Sequence, residues 1–311
     1  MQHGEIKNKL KDYASRLGFV AVGITNTDPL SSRKSVLKKR SKEGLLSPFV
    51  KRDLEQLAAP EKVMPGARSI LVAALPYYHP LTSEEREERG GYGYLARFAW
   101  GLDYHQVIRD KLNLLVKFME PELGTTRVFV DTGPLLEKEL ACRAGLGWMG
   151  KNNLLITEDY GSWILLGVVI MERELKPDPA RQGRCGDCSL CLEACPTGAL
   201  LKPYLLDTRI CLSQVTQLSQ PIKKEIKESL ADRIWGCDLC QEACPYNRAP
   251  ERGVRELAAD NGLGPWIDLN WLLSVTEEEF NRVAAATVLG WRGLKVIRRN
   301  ATIALENEVC S

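Results

Sequence analysis

A mixed α/β layer, a cysteine-rich module and a helical tail are what this sequence predicts, on three observations. Short apolar runs alternate with stretches of helical period through residues 1–175, as in an α/β layer. Eight of the ten cysteines fall between Cys185 and Cys244. From Thr276 onward the apolar spacing is helical again.

The composition bounds the answer. At about 100 to 200 residues per domain, 311 residues allow two or three domains. With 44% hydrophobic and 26% charged residues and a mean hydropathy of −0.21, the chain sits near the globular average, which excludes a disordered or fibrous protein. A formal charge of +2 excludes a protein that coats nucleic acid by bulk positive charge, while leaving local patches open. The longest apolar stretch, Trp163 to Met171, is far short of the roughly 20 residues of a spanning helix, so no membrane segment is expected. Met1 to Lys7 carries no apolar signal core, and the expected compartment is the cytoplasm.

The elements follow in order. Ile6, Leu10, Tyr13, Ala14 and Leu17 recur at helical spacing and Gly18 offers a stop, which predicts an opening helix. Strands are expected over Phe19–Ile24, Ser69–Leu75, Arg127–Val130 and Trp163–Met171. Helices are expected over Tyr104–Met119, with Val107, Ile108, Leu112, Leu115 and Met119 on one side, and over Leu135–Ala144. A first boundary falls at Lys176-Pro177-Asp178-Pro179. A second follows Pro245, where 247–253 is rich in Pro, Gly and charge. The predicted domains are therefore 1–175, 176–250 and 251–311. In the last, Thr276-Glu277-Glu278-Glu279 is a capping box ahead of Phe280 and Val283, and Leu294–Leu305 has a second helical period.

Several features of the first domain admit two readings. The run Arg33 to Lys42 holds six bases and no acid, as a solvated surface or as an RNA or phosphate contact. Gly145 to Gly150 matches G-x-G-x-x-G, but a helix precedes it where a dinucleotide site needs a strand. Its glycines serve either tight turns or the close approach of a flat cofactor, with Lys151, Asn152 and Asn153 adjacent. Asp131 ends an apolar strand and enters the turn Thr132-Gly133-Pro134; it reads as a proton donor if burial raises its pKa, or as a helix cap.

The cysteines speak more specifically. Cys185, Cys188, Cys191 and Cys195-Pro196 form C-x2-C-x2-C-x3-C-P, the bacterial ferredoxin run that holds cubane iron–sulfur clusters. Zinc sites pair two short C-x2-C knuckles instead. In two-cluster ferredoxins the fourth cysteine of each run serves the other cluster. Cys185, Cys188, Cys191 and Cys244 are thus assigned to one 4Fe-4S cluster. The second run, Cys237, Cys240 and Cys244-Pro245, has Ile234 where its first cysteine belongs, so the other cluster takes Cys195, Cys237, Cys240 and, as the remaining cysteine of the region, Cys211. Cys142 and Cys310 are left as inert thiols. Two clusters pass electrons in sequence, and the residues ahead of them are expected to bind what is reduced.

Taken together, these motifs resemble the epoxyqueuosine reductase family, the cobalamin and iron–sulfur enzymes of the last step of queuosine synthesis in tRNA. The resemblance rests on Tyr94 to His105, Val130 to Glu137, Ala144 to Lys151, Cys195 to Leu200, Cys211 to Ser213, Gly236 to Gln241 and Cys244 to Asn247, and runs over nearly the whole chain. It implies a base-off cobalamin held between an α/β domain and a ferredoxin-like domain with two 4Fe-4S clusters, Co(I) attack on the epoxide-bearing ring, and Asp131 as the proton donor. It also carries corrinoid contacts over to Arg97, Gly147, Lys151, Asn152, Ser213 and Thr216, with Arg52 a weaker candidate. His105 lies in Asp103-Tyr104-His105 without the glycine of D-x-H-x-x-G at position 108, so it does not read as a lower ligand to cobalt.

The segment Asn300 to Asn307 is similar to the start of the family's HEAT-like helical domain, which implies an anticodon stem-loop partner. Arg282, Arg292, Lys295, Arg298 and Arg299 supply local positive charge for phosphates. The implied partners are tRNA carrying epoxyqueuosine and an electron donor such as flavodoxin or ferredoxin, with the chain acting as a monomer. Two rival readings stand beside this one: a corrinoid reductive dehalogenase, and a non-enzymatic electron carrier or RNA-binding protein.

Overall fold

The computed structural model describes residues 3–50, 53–86, 90–248 and 250–310. In chain order the strands are β1 (Ala21–Asn26), β2 (Ser69–Pro76), β3 (Tyr92–Leu95), β4 (Thr126–Phe129), β5 (Trp148–Met149), β6 (Leu155–Ile156), β7 (Ile164–Met171), β8 (Leu200–Lys202), β9 (Leu205–Leu206), β10 (Arg233–Trp235) and β11 (Trp266–Asp268). The α-helices are α1 (His3–Arg16), α2 (Ser31–Lys42), α3 (Leu54–Leu57), α4 (Tyr104–Phe118), α5 (Glu137–Arg143) and α6 (Leu190–Glu193). They continue with α7 (Leu212–Val215), α8 (Lys224–Leu230), α9 (Leu239–Glu242), α10 (Leu269–Ser274), α11 (Glu277–Ala284) and α12 (Leu294–Cys310). No described helix is long and apolar enough to cross a membrane. The chain packs as two units, one of residues 1–76 and 105–188, the other of 77–104 and 189–311.

The first unit is built on a four-stranded sheet in the order β1-β2-β7-β4. Every pairing is antiparallel, so the mixed fold takes its α+β form. β2 is buried along its whole length, which its continuous apolar run requires. Because side chains alternate along a strand, Ile70, Val72 and Ala74 face one way. They pack with Val168 and Ile170 of β7 and with Leu140 and Ala141 of α5. On the other face Gly167 lets Ile108 and Leu112 of α4 approach to distances that a Cβ would not allow. Helices thus cover both sides of the central strands, and the loop from β4 to α5 emerges at the sheet's edge carrying Asp131.

In the second unit β3 is the middle strand of a three-stranded sheet, parallel to β10 and antiparallel to β11. This pairing draws residues 77–104 into the cysteine-bearing half of the chain. The core holds Leu95, Trp100, Trp235, Phe280, Leu289 and Ile297, so α11 and α12 close over the same sheet. Thr276 caps α11 by accepting the Glu279 amide at 3.2 Å, as the capping box predicts. Asn300 of α12 is fully buried, and its amide donates to the carbonyls of Thr216 and Ile234 at 2.7 and 2.8 Å.

The two cysteine runs also share a local fold. α6 and α9 are single turns that begin at the same point of each run, Leu190-Cys191 and Leu239-Cys240, and they pack against each other.

Candidate active site and cluster ligands

Asp131 follows the buried Val130 and takes a left-handed backbone, φ 53°, a conformation that few non-glycine residues adopt. The Thr132 amide donates to the Val130 carbonyl at 2.6 Å and tightens the turn. The Asp131 side chain is 62% exposed, and its Oδ2 lies 3.3 Å from His105 Nε2 at the start of α4. The carboxyl of this loop that is partly withdrawn from solvent is that of the half-buried Glu137. Its Oε1 is out of solvent and has no hydrogen-bond partner. Burial, and then the neighbouring charge of Asp131, push the Glu137 carboxyl up to about 8, against a hydrogen bond from the Asp131 amide and the fields of His105 and Lys138.

Beyond α5 the chain turns at Gly145, φ 77°, where a Cβ would stand 2.3 Å from the Pro179 carbonyl oxygen. A Cβ at Gly147 would stand 2.0 Å from the Ile156 carbonyl oxygen. Gly147 therefore serves the β5–β6 hairpin itself, and Gly145 the close approach of the Pro179 backbone. The hairpin's tip carries Lys151 and Asn152. Lys151 Nζ donates to the Cys188 carbonyl at 2.8 Å, which ties the tip to the first cysteine run. Asn152 is buried, its Oδ1 accepts the Leu154 amide at 3.2 Å, and its Nδ2 has no partner.

Cys237 and Cys240 of the second run lie near Cys211, and Cys240 also near Cys191 of the first run. Cys240 feels the charges of Cys237, Cys211 and Cys191. Cys211, the ligand assigned by elimination, is a neighbour of Cys237 as well. Thr197 donates to the Ile210 carbonyl at 2.8 Å and sits 3.7 Å from Cys195 Sγ, linking the end of the first run to the residue before Cys211. Burial pushes the Cys237 thiol up to about 12. Among the described residues no three His, Cys, Asp or Glu side chains converge as ligands of a single metal ion. A cubane cluster does not ask this of them, because each thiolate binds a different iron.

The remaining candidates are more committed to the fold. Arg97 is buried, its Nη1 donating to Glu242 Oε1 at 2.6 Å and its guanidinium lying over the Tyr78 and Trp100 rings. Its amide donates to Asp238 Oδ2 at 2.7 Å, beside Cys237. Thr216 is fully buried, and its hydroxyl accepts the Gly236 amide at 3.0 Å. The Ser213 carbonyl accepts from Thr216 and Gln217. Arg52 lies outside the described residues.

The basic run of α2 is largely salt-bridged: Arg33 pairs with Glu139, Lys34 and Lys38 with Glu55, and Lys39 with Glu43. In the tail Arg298 donates to the carbonyls of Leu272 and Val275, and Arg299 to those of Val215 and Leu218. These two arginines hold the fold together. Arg282 and Lys295 are exposed, and Arg292 stacks on the exposed Trp291.

Sequence reasoning gave no role to Glu137 and no partner to His105. The only signal for either was proximity to Asp131 once the loop is folded, since 26 positions separate His105 from Asp131.

Thiols in this arrangement mark an iron–sulfur protein, and the model of the 4Fe-4S double cluster binding domain matches residues 184–247. The model described as Epoxyqueuosine reductase QueG, DUF1730, matches residues 58–132. An epoxyqueuosine reductase of Listeria monocytogenes is 37% identical over 97% of this chain and 81% of its own length. A crystal structure of epoxyqueuosine reductase with a tRNA-Tyr epoxyqueuosine-modified tRNA stem loop superposes with a TM-score of 0.94 at 35% identity, covering 98% of this chain and 82% of that one. The Bacillus subtilis enzyme, solved with its aspartate catalytic loop swung out of the active site, gives 0.90 at 33% identity over 98% and 82%. The chain belongs to the epoxyqueuosine reductase family.

Proposed function

We propose that this chain reduces epoxyqueuosine to queuosine at the wobble position of tRNA, with Asp131 as the proton donor. The observation that carries this reading is the chain-long agreement of its backbone with a reductase that holds an epoxyqueuosine-modified stem loop. The cofactors of the reading are two 4Fe-4S clusters and a base-off cobalamin. Cys185, Cys188, Cys191 and Cys244 would hold one cluster, and Cys195, Cys211, Cys237 and Cys240 the other. The residues near the β5–β6 hairpin suit a ligand rich in polar groups, because the buried Asn152 Nδ2 is a donor left without a partner and such a donor costs about 1 to 3 kcal/mol. Lys151, Asn152 and the Gly147 backbone, with Arg97, Ser213 and Thr216, are the candidate corrinoid contacts.

When bound, these groups supply single electrons and a low-valent metal able to reduce carbon. The chain's own part is the proton chemistry. Converting an epoxide to an alkene and water consumes two electrons and two protons, and the oxygen leaves well only when protonated. The Asp131 side chain is 62% exposed, so the burial on which the sequence reading made the donor role depend is not found; what supports the role is that a carboxyl held in a fixed turn at the surface is open to an outside substrate. Asp131 is the counterpart we assign to the catalytic aspartate loop of the Bacillus subtilis relative. Its alternative as a helix cap has no support, since α5 begins after Leu136 without a side-chain cap. The reading includes a monomer in the cytoplasm, where its tRNA substrate is, fed by a flavodoxin or ferredoxin.

The test is Asp131→Asn, compared with wild type for iron content, cobalamin uptake and conversion of epoxyqueuosine in tRNA read by nucleoside mass spectrometry. The variant is expected to keep iron and cobalamin and to lose at least about 100-fold in rate. Retained full activity removes Asp131 from the mechanism.

A further inference from the structure

The loop that presents Asp131 holds a second carboxyl group that the proton chemistry above leaves unused. Glu137 stands at the first position of α5, with Oε1 sealed from solvent and unpartnered and with the Asp131 amide donating into its carboxyl group. The lysine beside it makes its hydrogen bond elsewhere, Lys138 Nζ donating to the Asn153 carbonyl at 2.9 Å. The groups facing Glu137 are Asp131, His105 and Lys138. Withdrawal of a carboxyl from solvent favours its protonated form, and a neighbouring carboxylate strengthens that hold.

We propose that Glu137 is the positioning residue for Asp131 and the carrier of the second proton the reaction consumes. This rests on the function proposed above. Glu137 acts through Asp131 in both respects. By accepting the Asp131 amide it fixes the left-handed turn that aims the Asp131 carboxyl outward. By staying protonated it keeps a proton within reach of a donor that can give only one at a time.

Asp131 protonates the epoxide oxygen as the first C–O bond breaks and becomes a carboxylate. Glu137 then passes its proton to Asp131. Asp131 protonates the resulting hydroxyl, which departs as water as the alkene forms. Two electrons come from the external electron carrier, and solvent restores both carboxyl groups afterwards.

Two variants separate the roles. Glu137→Gln keeps an oxygen that can accept the Asp131 amide but has no proton to give, whereas Glu137→Ala loses both. Single-turnover conversion of epoxyqueuosine in tRNA, measured from pH 6 to about pH 9 on cluster-replete protein, is expected to fall by about 100-fold in Glu137→Gln. The wild-type inflection near pH 8 should be absent from that variant. In Glu137→Ala the rate should fall at least as far. Wild-type rate and an unchanged inflection in Glu137→Gln overturn the proposal, and so does a loss confined to Glu137→Ala.

Infrared difference titration without tRNA gives a readout independent of turnover. A protonated carboxyl band should persist to about pH 8 in wild type and in Asp131→Asn, and be missing from Glu137→Gln. Absence of the band from wild type overturns the proposal even where the rates agree with it. Failure of wild type to convert epoxyqueuosine, with the band present, counts against the proposed function alone.

Discussion

Asp131 and Glu137 are carboxyl groups of one loop with different surroundings, the first turned to solvent and the second half-buried with its Oε1 out of solvent. The consequence for stability can be measured without substrate. Glu137 titrates at 4.5 in its ordinary state and at about 8 in the fold, so the folded protein binds the proton more tightly than the unfolded chain. Stability from this group is complete below pH 4.5 and is lost as pH rises toward 8. Glu137→Gln has no such loss, so its melting temperature relative to wild type should climb between pH 5 and pH 8. A constant difference across that range would mean that Glu137 is not held protonated. This behaviour was not legible in the sequence. Asp131 could be singled out because it ends an apolar strand, but nothing in the spacing of Glu137 marks it as half-buried, and that burial exists only because the turn folds it back beneath Asp131. His105 was readable as a histidine without the context of a cobalt ligand, and its place 3.3 Å from Asp131 is a product of how α4 packs on the sheet.

The elements divide in the same way. β1, β2, β4 and β7 lie within two residues at each end of the apolar runs that foretold them, and α4 and α5 lie where helical spacing put them, because each must bury one face or both. What periodicity does not contain is pairing. The antiparallel order β1-β2-β7-β4 and the joining of β3 to β10 and β11 are set by contacts between distant segments. Two substitutions test the element-level account. Gly147→Ala would place its Cβ 2.0 Å from a backbone oxygen of β6, which cannot move aside cheaply. It should destabilise the cofactor-free protein by about 1 to 3 kcal/mol in denaturant titration. Stability equal to wild type would mean that the glycine serves a ligand instead. Cys211→Ala should lower bound iron by about one 4Fe-4S cluster, with Cys142→Ala as an unchanged control. Unaltered iron in Cys211→Ala would show that the eight-thiol assignment has the wrong fourth ligand.

At the scale of the molecule, function was legible where chemistry demands a fixed spacing of residues. Four thiols at x2, x2 and x3 followed by proline specify a cluster-binding turn, and α6 and α9 repeat that turn. The tail was less legible, because a basic side chain looks the same whether it faces phosphate or closes a helix. Arg298 and Arg299 turned out to satisfy interior carbonyls, while Arg282 and Lys295 stay at the surface.

Anaerobic turnover tests the reduction itself. Cluster-replete protein with a strong reductant is given tRNA carrying epoxyqueuosine, with and without cobalamin, and the nucleosides are read by mass spectrometry. Loss of one oxygen from the modified nucleoside is expected only when cobalamin is present. No conversion by protein with intact clusters and bound cobalamin would contradict it.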